Sequence, residues 1–285
     1  VKIFSPSKIN IYLEVVGRKP DGYHELRTIM VPLSFGDEID LDHASSGISL
    51  EARGCGCTDD KNLAYRAARL FFSRVGDKGG LAIRIAKRIP VGAGLGGGSS
   101  NAASVLLGLN EMFQAGLTEE ELAAMAGELG ADCPFFVYRR PMLLGSRGDV
   151  PLMDVNLQER AYLIVIPPLN LSTTLIFSKL RLPLTREGDR IKIEKISDTC
   201  IEPEHWVSND LEFVACTLYP ELTGIKGELL SSGALKAGMS GSGSAFFGIY
   251  ASQAHLLTAM GRLTRHEGYS YIPTTRLTGD IYGDY

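Results

Sequence analysis

The first half of the chain is dominated by runs in which apolar and β-branched residues either cluster or alternate with polar ones, the pattern of strands. Val1–Phe4 reads directly into a strand, Ile9–Val16 and Leu26–Ser34 are rich in strand formers, and Glu38–Asp42 alternates as a half-buried strand does. Lys61–Val75 predicts a helix, because Leu63, Ala67, Leu70 and Phe71 fall on one face. Leu81–Ala86 alternates again and leads into a cluster of glycines, after which Ala102, Val105, Leu106, Leu109, Met112 and Phe113 recur at helical spacing. Thr118 with Glu121 three residues on is a capping box, and Gly130 is a stop for the helix it opens. Polar and turn residues gather between Ser146 and Glu159. A strand at Ala161–Ile166 then ends at Pro167-Pro168. Helices are expected around Thr173–Leu180, Asp210–Cys216, Leu222–Ser231 and Ser252–Thr264, with a strand at Ala245–Tyr250. The class is α+β in two domains, residues 1–150 and 151–285, with the boundary near 150.

Composition narrows the functions available. A hydrophobic share of 45% with 22% charged residues is that of an ordinary globular chain. The formal charge of −4 argues against a nucleic-acid binder, which carries a basic surface. There is no run of about 18 apolar residues and no signal-peptide layout, so no membrane span is expected; the cytoplasm is the default location, with a removed transit segment left open. Five scattered cysteines make a poor disulfide framework and fit a reducing compartment. Cys55-Gly-Cys57 lacks a second pair, so it reads as two free thiols in a loop.

The strongest local signal runs through Pro90, Val91, Gly92, Ala93, Gly94, Leu95, Gly96, Gly97, Gly98, Ser99 and Ser100, between a strand and an amphipathic helix. Phosphate oxygens need several backbone N–H donors converging at short range, which glycine permits because no side chain blocks the approach. The following helix adds its own unpaired N–H groups and the positive end of its dipole. Ser99 and Ser100 offer hydroxyl donors or a helix cap. Gly92 to Gly97 matches the dinucleotide-binding pattern literally, but Pro90 separates strand from loop and the glycines run on. No Gly-Lys-Ser/Thr follows, so it is not a Walker A loop either.

Pro90–Ser100 resembles the ATP-binding motif of the GHMP kinases (galactokinase, homoserine kinase, mevalonate kinase and phosphomevalonate kinase). Two further segments, in the right order, resemble that superfamily's other motifs: Pro6-Ser-Lys8-Ile-Asn10 near the start and Lys236-Ala-Gly-Met-Ser240-Gly-Ser-Gly-Ser-Ala245 near the end. Within it, Arg18-Lys-Pro-Asp21-Gly-Tyr23-His24-Glu, Leu129-Gly-Ala-Asp132-Cys-Pro-Phe-Phe136 and Asn209-Asp210-Leu-Glu are similar to the 4-diphosphocytidyl-2-C-methyl-D-erythritol kinase family. The resemblance implies a two-domain GHMP kinase fold, with a ribosomal S5 domain 2-like N-terminal domain, a ferredoxin-like C-terminal domain and the site in the cleft between them. It implies ATP-dependent phosphorylation of the 2-hydroxyl of 4-diphosphocytidyl-2-C-methyl-D-erythritol, in the non-mevalonate route to isoprenoid precursors. Homoserine or mevalonate kinase is the alternative.

The same resemblance implies roles. Asp132 would take the hydroxyl proton with Lys8 beside it, and Asn10, on the same strand face as Lys8, would hydrogen-bond the substrate. Tyr23 and His24 would hold the cytidine, Phe177 would cover the base from the other side with Thr173 near the substrate, and Gly241 and Ser242 would close over the diphosphates. Lys87 would lie beside the adenosine, with Asn62 and Leu63 at the edge of the adenine pocket; a solvated lysine is the competing reading of Lys87. ATP implies Mg2+, whose protein ligands are not legible, Ser100 being one candidate. The expected partner is the small-molecule substrate alone, with no nucleic acid and no membrane, in a monomer or weak dimer.

Overall fold

The computed structural model describes residues 1–20, 22–53, 59–76, 79–180 and 200–279. Cys55, Cys57 and Asp21 lie outside the described residues.

The strand patterns of the first half are longer than their apolar runs. β1 spans Lys2–Arg18 and pairs antiparallel with β2, a single strand over His24–Ala44. The two strands expected at Leu26–Ser34 and Glu38–Asp42 are therefore one, and Gly36-Asp37 between them is not a turn. A Cβ on Gly36 would stand 2.3 Å from the Ser5 carbonyl, so glycine here lets β1 and β2 close on each other. β3 (Ile48–Arg53) runs parallel to β4 (Gly80–Ala86) with helix α1 (Leu63–Val75) between them. β5 (Met142–Gly145) and β6 (Val150–Asp154) form a hairpin attached to β2. With the short β8 (Ser208–Asn209) beside β1 these make a seven-stranded sheet. β6 carries this sheet to Asp154, and the first strand of the next sheet begins at Ala161.

On one face of that sheet Ile3, Phe4, Ile39 and Leu41 meet the helices α1, α2 (Gly97–Met112), α3 (Glu119–Gly127) and α4 (Cys133–Tyr138). Thr118 and Glu121 form the expected capping box. α4 was not expected, because Pro134 reads as a breaker. It sits instead in the helix's first turn, where its missing N–H costs no hydrogen bond.

The second sheet has the order β11-β7-β10-β9, all antiparallel, from β7 (Ala161–Ile166), β9 (Lys236–Met239), β10 (Phe246–Tyr250) and β11 (Ser270–Thr275). This is the strand order of the expected ferredoxin-like domain. Helices α5 (Thr173–Lys179), α6 (Asp210–Leu218), α7 (Thr223–Ser231) and α8 (Gln253–Met260) cover it. α8 stops at Gly261, short of the expected Thr264. β7 alternates, with Tyr162, Ile164 and Ile166 turned to the first sheet and Leu163 and Val165 to its own helices. The first group meets Ile9, Ile11, Ile29, Val31 and Leu33, so an apolar layer joins the two sheets. Among the described residues no helix is long and apolar enough to cross a membrane.

Candidate active site

The glycine loop divides its residues by position. Ala93 and Leu95 are buried in the layer between the sheets, while Gly92, Gly94 and Gly96 line a cavity of about 780 Å³. All three glycines have positive φ, which a Cβ would strain. At Gly94 a Cβ would also meet the Ser240 carbonyl at 2.3 Å. That close approach ties the two glycine-rich segments together: Ala245 N donates to Ala93 O (3.0 Å), and Ser240 Oγ donates to Gly94 O (3.0 Å).

α2 begins directly behind the loop, with Gly96 in the capping position and no side-chain cap. Ser99 and Ser100 therefore do not cap it. Ser100 is fully buried and its hydroxyl is bonded to Ser5 Oγ at 2.8 Å. The uncapped N–H groups of the first turn are left for an anion.

Lys8 and Asn10 stand on one face of β1, as alternation requires, with Ile9 and Ile11 on the other. Lys8 is buried, donates to Asn10 Oδ1 at 2.5 Å, and has Asp132 Oδ2 at 3.7 Å. Burial pushes its ammonium below the ordinary lysine value, with Asp132 pulling the other way. Asn10 is fixed from both ends, because its Nδ2 also donates to Thr28 Oγ1 at 2.8 Å. Asp132 occupies the capping position of α4 without capping it, so its carboxylate is left for the cavity, where its side chain is 34% exposed. The neighbouring Cys133 is buried and its thiol is pushed up to about 11 by that burial, which removes it as a nucleophile.

The far end of the cavity is aromatic. The β1–β2 hairpin presents Tyr23, 58% exposed, and His24. His24 faces Phe177 of α5 with ring centroids 5.1 Å apart. Burial first, and Arg18 second, hold its imidazole below the usual histidine value. α5 is started by Ser172, which accepts from Leu175 N, and Thr173 bonds Ser242 Oγ at 2.8 Å across the cavity. Gly241 and Ser242 line the same wall. Their segment is braced by Asn209, whose Nδ2 donates to Met239 O and Gly241 O, both at 2.8 Å.

Asn62, Leu63 and Lys87 are not among the cavity's walls. They flank the loop on the side of Gly97 and Gly98: a Cβ on Gly97 would lie 3.3 Å from Lys87 Nζ, and one on Gly98 3.7 Å from Leu63. Asn62 caps α1 by accepting from Ala64 N. Lys87 is not solvated. Its side chain is 10% exposed and bonds Asp37 and Asn101.

Sequence reasoning missed Arg147, whose guanidinium lies 5.2 Å from the Tyr23 ring centre and is held by Asp149. With Arg18 it puts positive charge at the aromatic end of the cavity. Arg147 sits in a polar turn that reads as a linker, and only its pairing with Asp149 two residues on hints at a fixed conformation. Among the described residues no cluster of three or more His, Cys, Asp or Glu stands ready for a metal.

Comparison with known proteins adds a further set of observations. Residues 62–140 match the family described as GHMP kinases N terminal domain, and residues 200–267 match GHMP kinases C terminal. A 4-diphosphocytidyl-2-C-methyl-D-erythritol kinase of Syntrophotalea carbinolica is 41% identical over 268 residues, 93% of this chain and 95% of that protein. A crystal structure of 4-(cytidine 5'-diphospho)-2C-methyl-D-erythritol kinase superposes with a TM-score of 0.81 at 34% identity, covering 98% of this chain and all of that one (100%). Homoserine kinase from Cytophaga hutchinsonii superposes at 0.76 but with 17% identity over 99% of this chain and 95% of that one, a likeness of fold alone.

Proposed function

The chain belongs to the GHMP kinases and, within them, to the 4-diphosphocytidyl-2-C-methyl-D-erythritol kinases; from that membership we propose that it moves the γ-phosphate of ATP to the 2-hydroxyl of that cytidylyl substrate, with Asp132 as base and Lys8 as its cationic partner. The observation that carries the reading is the place of the Lys8–Asp132 pair. It stands where the inner face of the glycine loop meets a cavity whose other end is aromatic and cationic.

The roles follow from that arrangement. Triphosphate oxygens take the backbone donors of Gly92–Ser99 and the uncapped start of α2, with the adenosine lying toward Asn62, Leu63 and Lys87. Cytosine takes Tyr23, His24 and Phe177. A neutral imidazole offers both a donor and an acceptor to a base edge. Arg18 and Arg147 suit the diphosphate. The hydroxyl then falls at Asp132, which accepts its proton as the bond to phosphorus forms, while the buried Lys8 stabilises charge on the transferring oxygens. Asn10, held by Lys8 and Thr28, orients the acceptor.

Mg2+ enters with ATP. Magnesium takes few protein ligands and keeps several waters, so the ion would be carried mainly by phosphate oxygens and water, and it would there neutralise charge on the phosphate oxygens. The cytoplasm, where ATP is at hand, is the compartment this reading favours, and one chain supplies every group named above, so a monomer or weak dimer suffices.

The test offers the wild-type protein ATP with three acceptors separately, 4-diphosphocytidyl-2-C-methyl-D-erythritol, homoserine and mevalonate, and follows ADP release and the mass of the product. Transfer to the first alone is expected. Faster transfer to either of the others overturns the reading.

A further inference from the structure

Gly36-Asp37, between the two expected strand segments, places a fully buried carboxylate beneath the phosphate loop. Asp37 accepts hydrogen bonds on both oxygens. Oδ1 takes the backbone N–H of Arg88 at 2.7 Å and of Ile89 at 2.8 Å, the two residues that lead into the loop. Oδ2 takes Lys87 Nζ and, at 2.8 Å, Asn101 Nδ2 from the first turns of α2, where the loop ends. Asn101 closes the set, accepting from Lys87 Nζ at 3.0 Å and donating to Ser5 Oγ at 2.9 Å, and Ser5 bonds Ser100. One carboxylate therefore holds both ends of the loop and the lysine beside it.

A buried ion pair is a poor device for stability alone, since well-packed apolar residues of similar size do as well or better. Its geometry suits another purpose. The loop it fixes is also bonded to the strand that carries the catalytic lysine, through Lys8 N to Leu95 O at 3.0 Å. A displacement of the loop by about 1 Å misaligns the phosphate with Asp132, an error that costs on the order of 10²-fold in rate.

We propose that Asp37 is a positioning residue for the nucleotide: acting through Lys87, Asn101 and the N–H groups of residues 88 and 89, it sets the span of the phosphate loop and the place of Lys87 against bound ATP. The proposal rests on the reading of this loop as the ATP site and names what holds it in register.

Asp37→Asn keeps an oxygen for Arg88 and Ile89 but turns an amide toward Lys87 Nζ and Asn101 Nδ2, donor against donor. The double variant Asp37→Asn with Asn101→Asp exchanges amide and carboxylate across their shared hydrogen bond and gives Lys87 an anion at the place of Asn101 Oδ1, which it already bonds at 3.0 Å, so its ammonium can turn there from the amide now at position 37. Two readouts are taken for each protein, the Kd of a non-hydrolysable ATP analogue by calorimetry and the KM values for ATP and the cytidylyl acceptor. The single variant is expected to weaken the analogue and raise KM for ATP by about tenfold or more, with KM for the acceptor within about threefold of wild type. The exchange variant is expected to return the ATP values to within about threefold of wild type. Equal loss for both ligands, unchanged ATP binding in the folded single variant, or a folded exchange variant that binds the analogue ten times more weakly overturns the proposal. If the single variant does not fold, the exchange variant alone decides by its Kd. Because that Kd needs no acceptor, a mistaken acceptor assignment shows as absent turnover with the binding differences intact.

Discussion

Replacing Asp132 by Asn removes one negative charge and almost no volume, and the structure separates what this does to chemistry from what it does to folding. The side chain caps no helix, so its exchange leaves α4 in place. Its partner Lys8 lies 3.7 Å away, where an effective dielectric of about 20 gives an attraction of about 4.5 kcal/mol. With 34% of the Asp132 side chain in water, solvent screening leaves roughly 1–2 kcal/mol of that. Loss of the pair should thus lower Tm by about 2–8 °C and leave a cooperative transition. Loss of the base should lower kcat by about 10²–10⁴-fold, or about 3–5 kcal/mol of barrier, with both KM values within about threefold. The variant also predicts a pH effect of fixed sign. Lys8 already titrates below the ordinary lysine value because of burial, and Asp132 is what opposes that shift. Without Asp132 the ammonium is lost at lower pH still, so the basic limb of the residual kcat profile moves to lower pH than in wild type. ADP release coupled to nicotinamide oxidation measures the rates, and calorimetry the Tm. A kcat within tenfold of wild type would refute Asp132 as the base, and a basic limb that moves upward would refute its pairing with Lys8.

Gly94→Ala and Gly98→Ala should part company. The first puts a Cβ 2.3 Å from the Ser240 carbonyl at φ +77°, and a Tm loss of about 6 °C or more with loss of ATP binding is expected; the second meets nothing nearer than 3.7 Å at the start of α2, and thermal melts should show no loss. His24 titrates below its usual value because of burial and Arg18, so the neutral imidazole is favoured and KM for the acceptor should rise only on acidification below the ordinary histidine range; a KM that improves on acidification would sink the neutral-imidazole role. Asn209→Asp keeps the cap on Leu211 N but turns an anion toward the Met239 and Gly241 carbonyls, so melting should drop by roughly 3–6 °C with weaker acceptor binding, and an unchanged melt would show that brace to be idle.

The sequence made the phosphate loop and the Lys8–Asp132 pair legible for different reasons. The loop shows because a run of glycines is a backbone requirement written directly in residue type. The pair shows only through family resemblance, since 124 positions separate its members and no local pattern joins them. What stayed hidden obeys long-range rules. Asp37 beside Gly36 looks like a turn until β1 is seen lying against Gly36 and four donors against Asp37. Pro134 looks like a break until the helix is seen to start one residue earlier. Lys87 looks solvated until the buried carboxylate is in place. For Asp37 and Lys87 the partner lay on another element, beyond any window of sequence, whereas for Pro134 it was the helix start itself that the local pattern did not mark.

The bonds between the two glycine segments bear on how the protein moves. Ala93 to Ala245 and Gly94 to Ser240 cross from one sheet to the other at the floor of the cavity, above the apolar layer shared by Ile9, Ile164 and Phe247. A hinge that opened the cleft would have to break those bonds and wet that layer at once. The two glycine segments are thereby tied to one another as a single floor rather than as two independent jaws. The exposed Thr173–Ser242 bond, by contrast, lies in water and costs little to open, so the first turn of α5 is held to that floor more loosely than the two glycine segments are to each other.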